Sequence, residues 1–209
     1  MSKETKVERK NSSIYFFGTV WLMIVFIGIG ILIQYENRPG NAGNPPKKWP
    51  IKSIMIPAMN TSTLVLFVHP HCPCTSATVG ELELLLTQCR KKIKTYIVFF
   101  KPEEFTNEWI KTNIWKNASS ISGVKLIVDE NGNEANLFKV STSGQTLLYS
   151  NQGKLLFNGG ITGSRGHSGD NAGRNSILSL LKDGKTNKPK TFVFGCSLYK
   201  GSTPIAKRK

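Results

Sequence analysis

Two cysteines held one proline apart, where a buried strand gives way to a helix, set the strongest limit on what this chain can become. In residues 64–90, LVLFVHPHCPCTSATVGELELLLTQCR, Leu64 to Val68 is a continuous apolar run, long enough for one buried strand. His69-Pro70-His71 breaks it and Cys72-Pro73-Cys74 follows. Thr75-Ser76 then opens a stretch on which Val79, Leu82, Leu86 and Cys89 recur at helical spacing. Both sulfurs of the pair therefore fall in or just before the first helical turn. Unpaired N–H groups and the helix dipole favour an anion there, and cysteine in that position is often acidic and reactive. Pro73 fixes one backbone angle between the sulfurs and removes an N–H. His69 and His71 could support a thiolate when protonated or take its proton when neutral. The pattern points to redox or soft-metal chemistry. Cys89, in phase with the apolar face, reads as core.

Residues 14–34, IYFFGTVWLMIVFIGIGILIQ, carry no charge and are long enough to span a bilayer as a helix. No small-x-small cleavage site follows, so an uncleaved anchor is expected rather than a signal peptide. Residues 1–13 hold four Lys or Arg (Lys3, Lys6, Arg9 and Lys10), whereas only Arg38 follows the run before Lys47. That bias predicts a cytoplasmic N-terminus in the inner membrane, with the remainder periplasmic. Residues 35–60, with Pro39-Gly40, Gly43, Pro45-Pro46, Pro50 and Pro57, read as a stiff extended tether.

The net charge of +15 raises the question of an acidic partner. The charge is spread thinly except in the tail from Lys182 to Lys209, which holds eight basic residues and one acid, Asp183. No aromatic-basic interleaving or nucleic-acid motif appears, so no nucleic-acid partner is expected. The extension 184–209 reads as a solvated end, with anionic membrane surface as the alternative contact.

Thr95–Phe100 reads as a second strand, and Pro102-Glu103-Glu104 as the start of a helix running to about Lys116. Val124–Val128 reads as a third strand, ended by Asp129-Glu130-Asn131-Gly132, with a short helix through Ala135 and Phe138. Thr146–Tyr149 and Leu155–Phe157 flank a Gly-containing turn and form a hairpin. A loop with six glycines between 159 and 173 leads to a last helix, about Gly173–Lys182. The order β-α-β-α-β-α-β-β-α predicts an α/β domain over 61–183, with a mixed sheet of parallel strands and an antiparallel hairpin.

That order, with a cysteine pair where the first strand meets its helix, resembles the thioredoxin fold, a three-layer sandwich. It is similar to the membrane-tethered, extracytoplasmic TlpA/ResA type of bacterial proteins. Three pieces carry the likeness: the strand-HPHCPCT-helix unit, Asp129-x-x-Gly132…Phe138-x-Val140, and the hairpin ending in Gly159-Gly160. HPHCPC, the GGITGSRGH-x-G-x-N-x-G loop and the terminal Phe194-Gly195-Cys196 together resemble a group of bacterial membrane proteins known as RedB. The resemblance implies thiol–disulfide exchange on exported protein thiols or with a redox partner, needing no cofactor beyond a redox-active disulfide. It gives attack to Cys72, the more exposed partner in the family, and resolution to Cys74. Two departures stand out. The pair is one residue shorter than Cys-x-x-Cys, and Gly144 or Gln145 stands where a proline is usual.

A bridge between residues i and i+2 closes a very small ring and is hard to form without strain; strained disulfides are the more oxidising ones. The segment His69-x-His71-Cys72-x-Cys74 also offers two imidazoles and two thiolates, donors that suit Cu(I) or Zn(II). They are too close together to share one tetrahedral ion easily. A copper-binding or copper-delivery site would combine Cys72, Cys74 and His71 with a distant His167 or Cys196. In the glycine-rich loop, a thioredoxin-like topology brings Arg165 and His167 beside the cysteine turn. There Arg165 could stabilise a thiolate and His167 act as base or ligand; otherwise the loop is a flexible surface feature. Cys196 lies past the last helix. It returns to the turn as a third thiol or ligand, or is carried by a short packed terminal strand.

Overall fold

The computed structural model describes residues 4–89 and 92–199, with side chains from residue 14 onward. The chain divides after Arg38 into two units. The first holds helix α1 (Glu4–Glu36). Its stretch Ile14–Glu36 is long and apolar enough to cross a membrane, and large side chains such as Phe16, Trp21, Ile27 and Leu32 are exposed along it.

The second unit is built on β1 (Ser62–Val68), the middle strand of a five-stranded sheet. Its continuous apolar run follows from burial on both faces. Leu64, Leu66 and Val68 enter one core; Val65 and Phe67 enter another. Parallel to β1 lie β2 (Ile93–Lys101) and then β3 (Val124–Glu130). On the other side β4 (Thr146–Tyr149) and β5 (Leu155–Gly159) add an antiparallel hairpin, giving the order β3-β2-β1-β4-β5. The first core is covered by α2 (Cys74–Cys89), α3 (Asn113–Ser120) and α5 (Ala172–Asp183), through Leu82, Leu85, Leu86, Ala118 and Ile177. Cys89 belongs to this core, where burial pushes its thiol up to about 11. The second core takes Ala135 of the short helix α4 (Asn133–Leu137), together with Met55, Phe138 and Tyr149. The result is a thioredoxin-like three-layer α/β sandwich with a mixed sheet.

Two expectations need correction. Of the expected tether 35–60, the part from Pro39 onward does not hang free; residues 39–60 belong to the second unit and form part of its second covering layer. Tyr149 Oη donates to the Pro46 carbonyl at 3.0 Å, and Trp49 N–H to Gly153 O at 2.8 Å. The Trp49 ring packs edge-on against Phe138 and Tyr149, and Met55 is buried. Prolines stiffen this segment as expected, but without it Phe67, Phe138 and Tyr149 would face water, so apolar burial holds it down.

The helix expected from Pro102 to Lys116 also starts late. Residues 102–105 make a turn, Asn107–Ile110 a 3₁₀ helix, and α3 begins only at Asn113. Asn131 accepts the Glu103 N–H at 2.8 Å and donates back to the Glu103 carboxylate at 2.9 Å. The Thr112 hydroxyl donates to Pro70 O at 3.0 Å. These tertiary bonds pin the segment and override its local helix preference. The final ten residues of the basic extension lie outside the described residues.

Candidate active site

Strand β1 ends at Val68, and the chain then turns tightly into α2. The Cys72 N–H donates to His69 O and the Thr75 N–H to Cys72 O, both at 3.0 Å, while Ser76 N–H donates to Pro73 O at 3.2 Å. Cys72 thus sits two residues before the first helical residue, Cys74, with Pro73 exposed between them. Ser143, just ahead of β4, braces the turn from beneath. Its Oγ accepts the His69 N–H at 2.8 Å and shares a hydrogen bond with Thr75 Oγ1 at 2.7 Å.

The C-terminal segment closes over this turn. The Ser143 N–H donates to Cys196 O at 2.8 Å and the Leu198 N–H to Ser141 O at 2.9 Å, an antiparallel contact that includes a bridge between Thr142 and Ser197. Gly195 permits the approach: a Cβ on it would lie 1.9 Å from Ser143 O. The Cys196 N–H then points at Cys72 Sγ, 3.3 Å away.

The electrostatics follow from these contacts. A hydrogen bond from the Cys196 side chain is the largest influence on Cys72, and its thiol is held down to about 5. Burial opposes this; the Thr75 side chain and the backbone N–H groups of Cys196 and Thr75 support it. Hydrogen bonds to an ionised acceptor are stronger than neutral ones, so Cys72 is the thiolate of the group. The hydrogen bond it accepts pushes Cys196 up, with burial and the Cys72 charge acting in the same direction. Cys74 is also raised, by burial first and by the Cys72 charge second, while a hydrogen bond from Arg165 partly offsets both.

Three cysteines, Arg165 and Thr75 are therefore brought together. The exposures reverse what the resemblance implies: Cys72 is only 1% exposed, whereas Cys74 and Cys196 are partly open. The reason is the C-terminal segment, which covers Cys72. Arg165 reaches the site from the glycine-rich loop and also donates to Gly195 O at 2.8 Å. His167 does not join the sulfurs; its Nδ1 sits 3.0 Å from Arg165 O on the exposed side. His71 turns away too, with Nε2 2.9 Å from Trp109 O and its ring against the Trp109 ring. His69 is buried, stacked on Phe100, and accepts the His71 N–H on Nδ1 at 3.2 Å. Burial lowers its pKa, although the Cys72 charge acts the other way. Of the donors considered for copper, the three cysteines gather while His71 and His167 are held on backbone carbonyls. Among the described residues, no group of three His, Cys, Asp or Glu side chains is arranged to hold a metal ion.

The glycine-rich loop is more firmly held than a free surface loop. The fully buried Glu81 carboxylate on α2 accepts from Gly169 N–H, Asn171 Nδ2 and Arg174 Nη1. Sequence reasoning missed Glu81, Ser143 and Thr75. Glu81 had a legible signal, an acid in helical phase with Thr78 and Leu85 on the buried side of α2. Thr75 directly follows the cysteine pair. Ser143 carried no local signal, because its role depends on β4 lying beside β1.

No family model matches the chain, and no curated protein matches it. Among solved structures, an uncharacterized conserved protein from Geobacillus kaustophilus is similar at a TM-score of 0.54 and 17% identity, covering 80% of this chain and 95% of that one. A hypothetical protein from Sinorhizobium meliloti 1021 is similar at 0.55 and 11%, covering 78% and 96%. A secreted Mycobacterium tuberculosis disulfide oxidoreductase is similar at 0.42 and 9%, covering 60% and 83%. At these identities the likeness is one of fold alone.

Proposed function

We propose that this protein is a membrane-anchored, extracytoplasmic thiol–disulfide oxidoreductase in which Cys72 is the reactive thiolate. One observation carries the reading: Cys72, just ahead of α2, accepts hydrogen bonds from Cys196 and Thr75 that hold its thiol down to about 5. A purely structural cysteine buried in an apolar setting is pushed the other way, as Cys89 is. The low pKa makes Cys72 a good leaving group in any disulfide it forms. The partly open Cys74 and Cys196 are its possible bonding partners. Arg165 tempers the rise at Cys74. Pro73 restrains the turn, and His69 and His71 pack its other side.

The apolar stretch Ile14–Glu36 of α1 and the excess of Lys and Arg before that stretch support anchoring by one helix with the domain outside the cytoplasm. Within thioredoxin-like proteins, the HPHCPC turn, the GGITGSRGH loop and the terminal Phe194-Gly195-Cys196 support the TlpA/ResA type and the RedB group. Thiols of exported proteins, or of a redox partner at the same membrane face, are the reactants. The test is a redox titration of the full chain in detergent against a glutathione buffer. A reversible two-electron transition, abolished in Cys72→Ser, is expected. A wild type with no such transition overturns the reading.

A further inference from the structure

We propose that Cys72 and Cys196 form the redox pair, and that Cys196 is the sulfur on which external thiols exchange. This deepens the oxidoreductase reading and rests on it. Three observations carry it, each independent of the others.

The first is placement. Cys196 is 124 residues from Cys72 in sequence, yet its N–H lies 3.3 Å from Cys72 Sγ and its side chain hydrogen-bonds the same sulfur. The position is built, not incidental. Ser143 N–H and Leu198 N–H anchor the segment on the sheet side. Arg165 donates to Gly195 O. Only a glycine at 195 fits against Ser143 O. The second is access. Cys72 is 1% exposed and Cys196 is partly open, so a substrate thiol meets Cys196 first. The third is ring size. A Cys72–Cys74 bridge must close across one proline, whereas Cys72 and Cys196 lie on separate segments and carry no short-ring constraint.

The chemistry follows from these positions. In the oxidised protein, a substrate thiolate attacks Cys196 Sγ. The Cys72–Cys196 bond breaks and its electron pair leaves on Cys72, the thiolate that its surroundings favour. A second thiolate of the same substrate attacks the substrate sulfur of this mixed disulfide and expels Cys196, which takes a proton. Two electrons pass from the substrate dithiol to the protein, and the substrate leaves as a disulfide. Reoxidation runs the same route backwards on a donor disulfide. Cys196 gives up its proton and attacks the donor, releasing one donor thiolate. Cys72 then attacks Cys196 Sγ and releases the second. Cys74 supports the Cys72 thiolate as a neighbouring thiol and is not needed for the bond.

The test is a non-reducing tryptic map of the full chain in detergent, equilibrated with glutathione and glutathione disulfide and then alkylated. Cleavage at Lys52, Arg90, Lys190 and Lys200 places Cys72, Cys74 and the core Cys89 in peptide 53–90 and Cys196 in peptide 191–200, and fragmentation of the linked peptides separates Cys89 from the pair. A disulfide-linked pair of these two peptides is expected in the wild type and in Cys74→Ser. Cys196→Ser should lose the two-electron transition, and Cys72→Ser should accumulate glutathione on Cys196. A Cys72–Cys74 bridge within peptide 53–90, with Cys196 alkylated, overturns the inference. So does an unchanged transition in Cys196→Ser. Both results leave the oxidoreductase reading standing, because Cys72 would still be the redox thiol. Absence of any reversible transition in the wild type removes both.

Discussion

Replacing Cys196 by alanine removes the largest of the influences that hold the Cys72 thiol at about 5. A hydrogen bond to an ionised group contributes about 1.5–3 kcal/mol, and one pKa unit corresponds to about 1.4 kcal/mol. The Cys72 pKa should therefore rise by about 1–2 units in Cys196→Ala. It should stay below the ordinary cysteine value, because the Thr75 groups and the residue-196 N–H still donate to the sulfur. Water admitted into the space left by the side chain works against the rise, so the upper end is a ceiling. Cys196→Ser keeps a donor and should fall between wild type and alanine. The assay is thiolate absorbance in the ultraviolet, followed on the fully reduced chain through the acidic and neutral range. A wild-type midpoint at the ordinary cysteine value would refute the reasoning, as would an alanine variant with a midpoint equal to or below that of the wild type.

The same depressed pKa ties stability to pH. Between about 5 and 9 the folded reduced protein binds fewer protons at Cys72 than the unfolded chain does. Stability from this thiol should be complete above the unfolded value and be lost as pH falls through about 5. Oxidation to a disulfide should abolish that slope, which urea melts of both forms at several pH values would show. Glu81→Ala leaves Arg174, which is 13% exposed, facing a buried site without its carboxylate; the loss should be about 3–5 kcal/mol. A loss under about 1 kcal/mol, the range of an exposed pair, would mean the lock is not structural. Ser143→Ala strips the His69 N–H of its acceptor, which should cost about 1–3 kcal/mol in the same melts. In Gly195→Ala the new Cβ would meet Ser143 O, so the C-terminal segment must shift. The linked peptide pair should become scarcer at a given redox poise; an unchanged yield would show that the segment does not depend on that close approach.

Much of the frame was legible because local pattern reports local state. The apolar run 64–68 reads as a strand buried on both faces, and β1 is the sheet's central strand. Cys89 fell in phase with Val79, Leu82 and Leu86, and it is core. Pro102-Glu103-Glu104 misled, because Asn131 takes the Glu103 N–H and Thr112 is tied to Pro70, long-range bonds that no local window contains. The prolines of 39–60 signal stiffness correctly, but stiffness does not tell a free tether from a segment laid along Trp49, Met55 and Tyr149.

At the site the division is sharper. By itself the sequence determined that an apolar helix precedes the domain, that a cysteine pair stands at a strand-to-helix turn, and that Pro73 separates the two sulfurs. These are matters of composition and short-range spacing. Only the tertiary structure decided which sulfur is buried, which carries the charge, and that a third cysteine, 124 positions away, donates to the first. A thiol's acidity depends on the donors that surround it in space, and here the strongest of them comes from the far end of the chain.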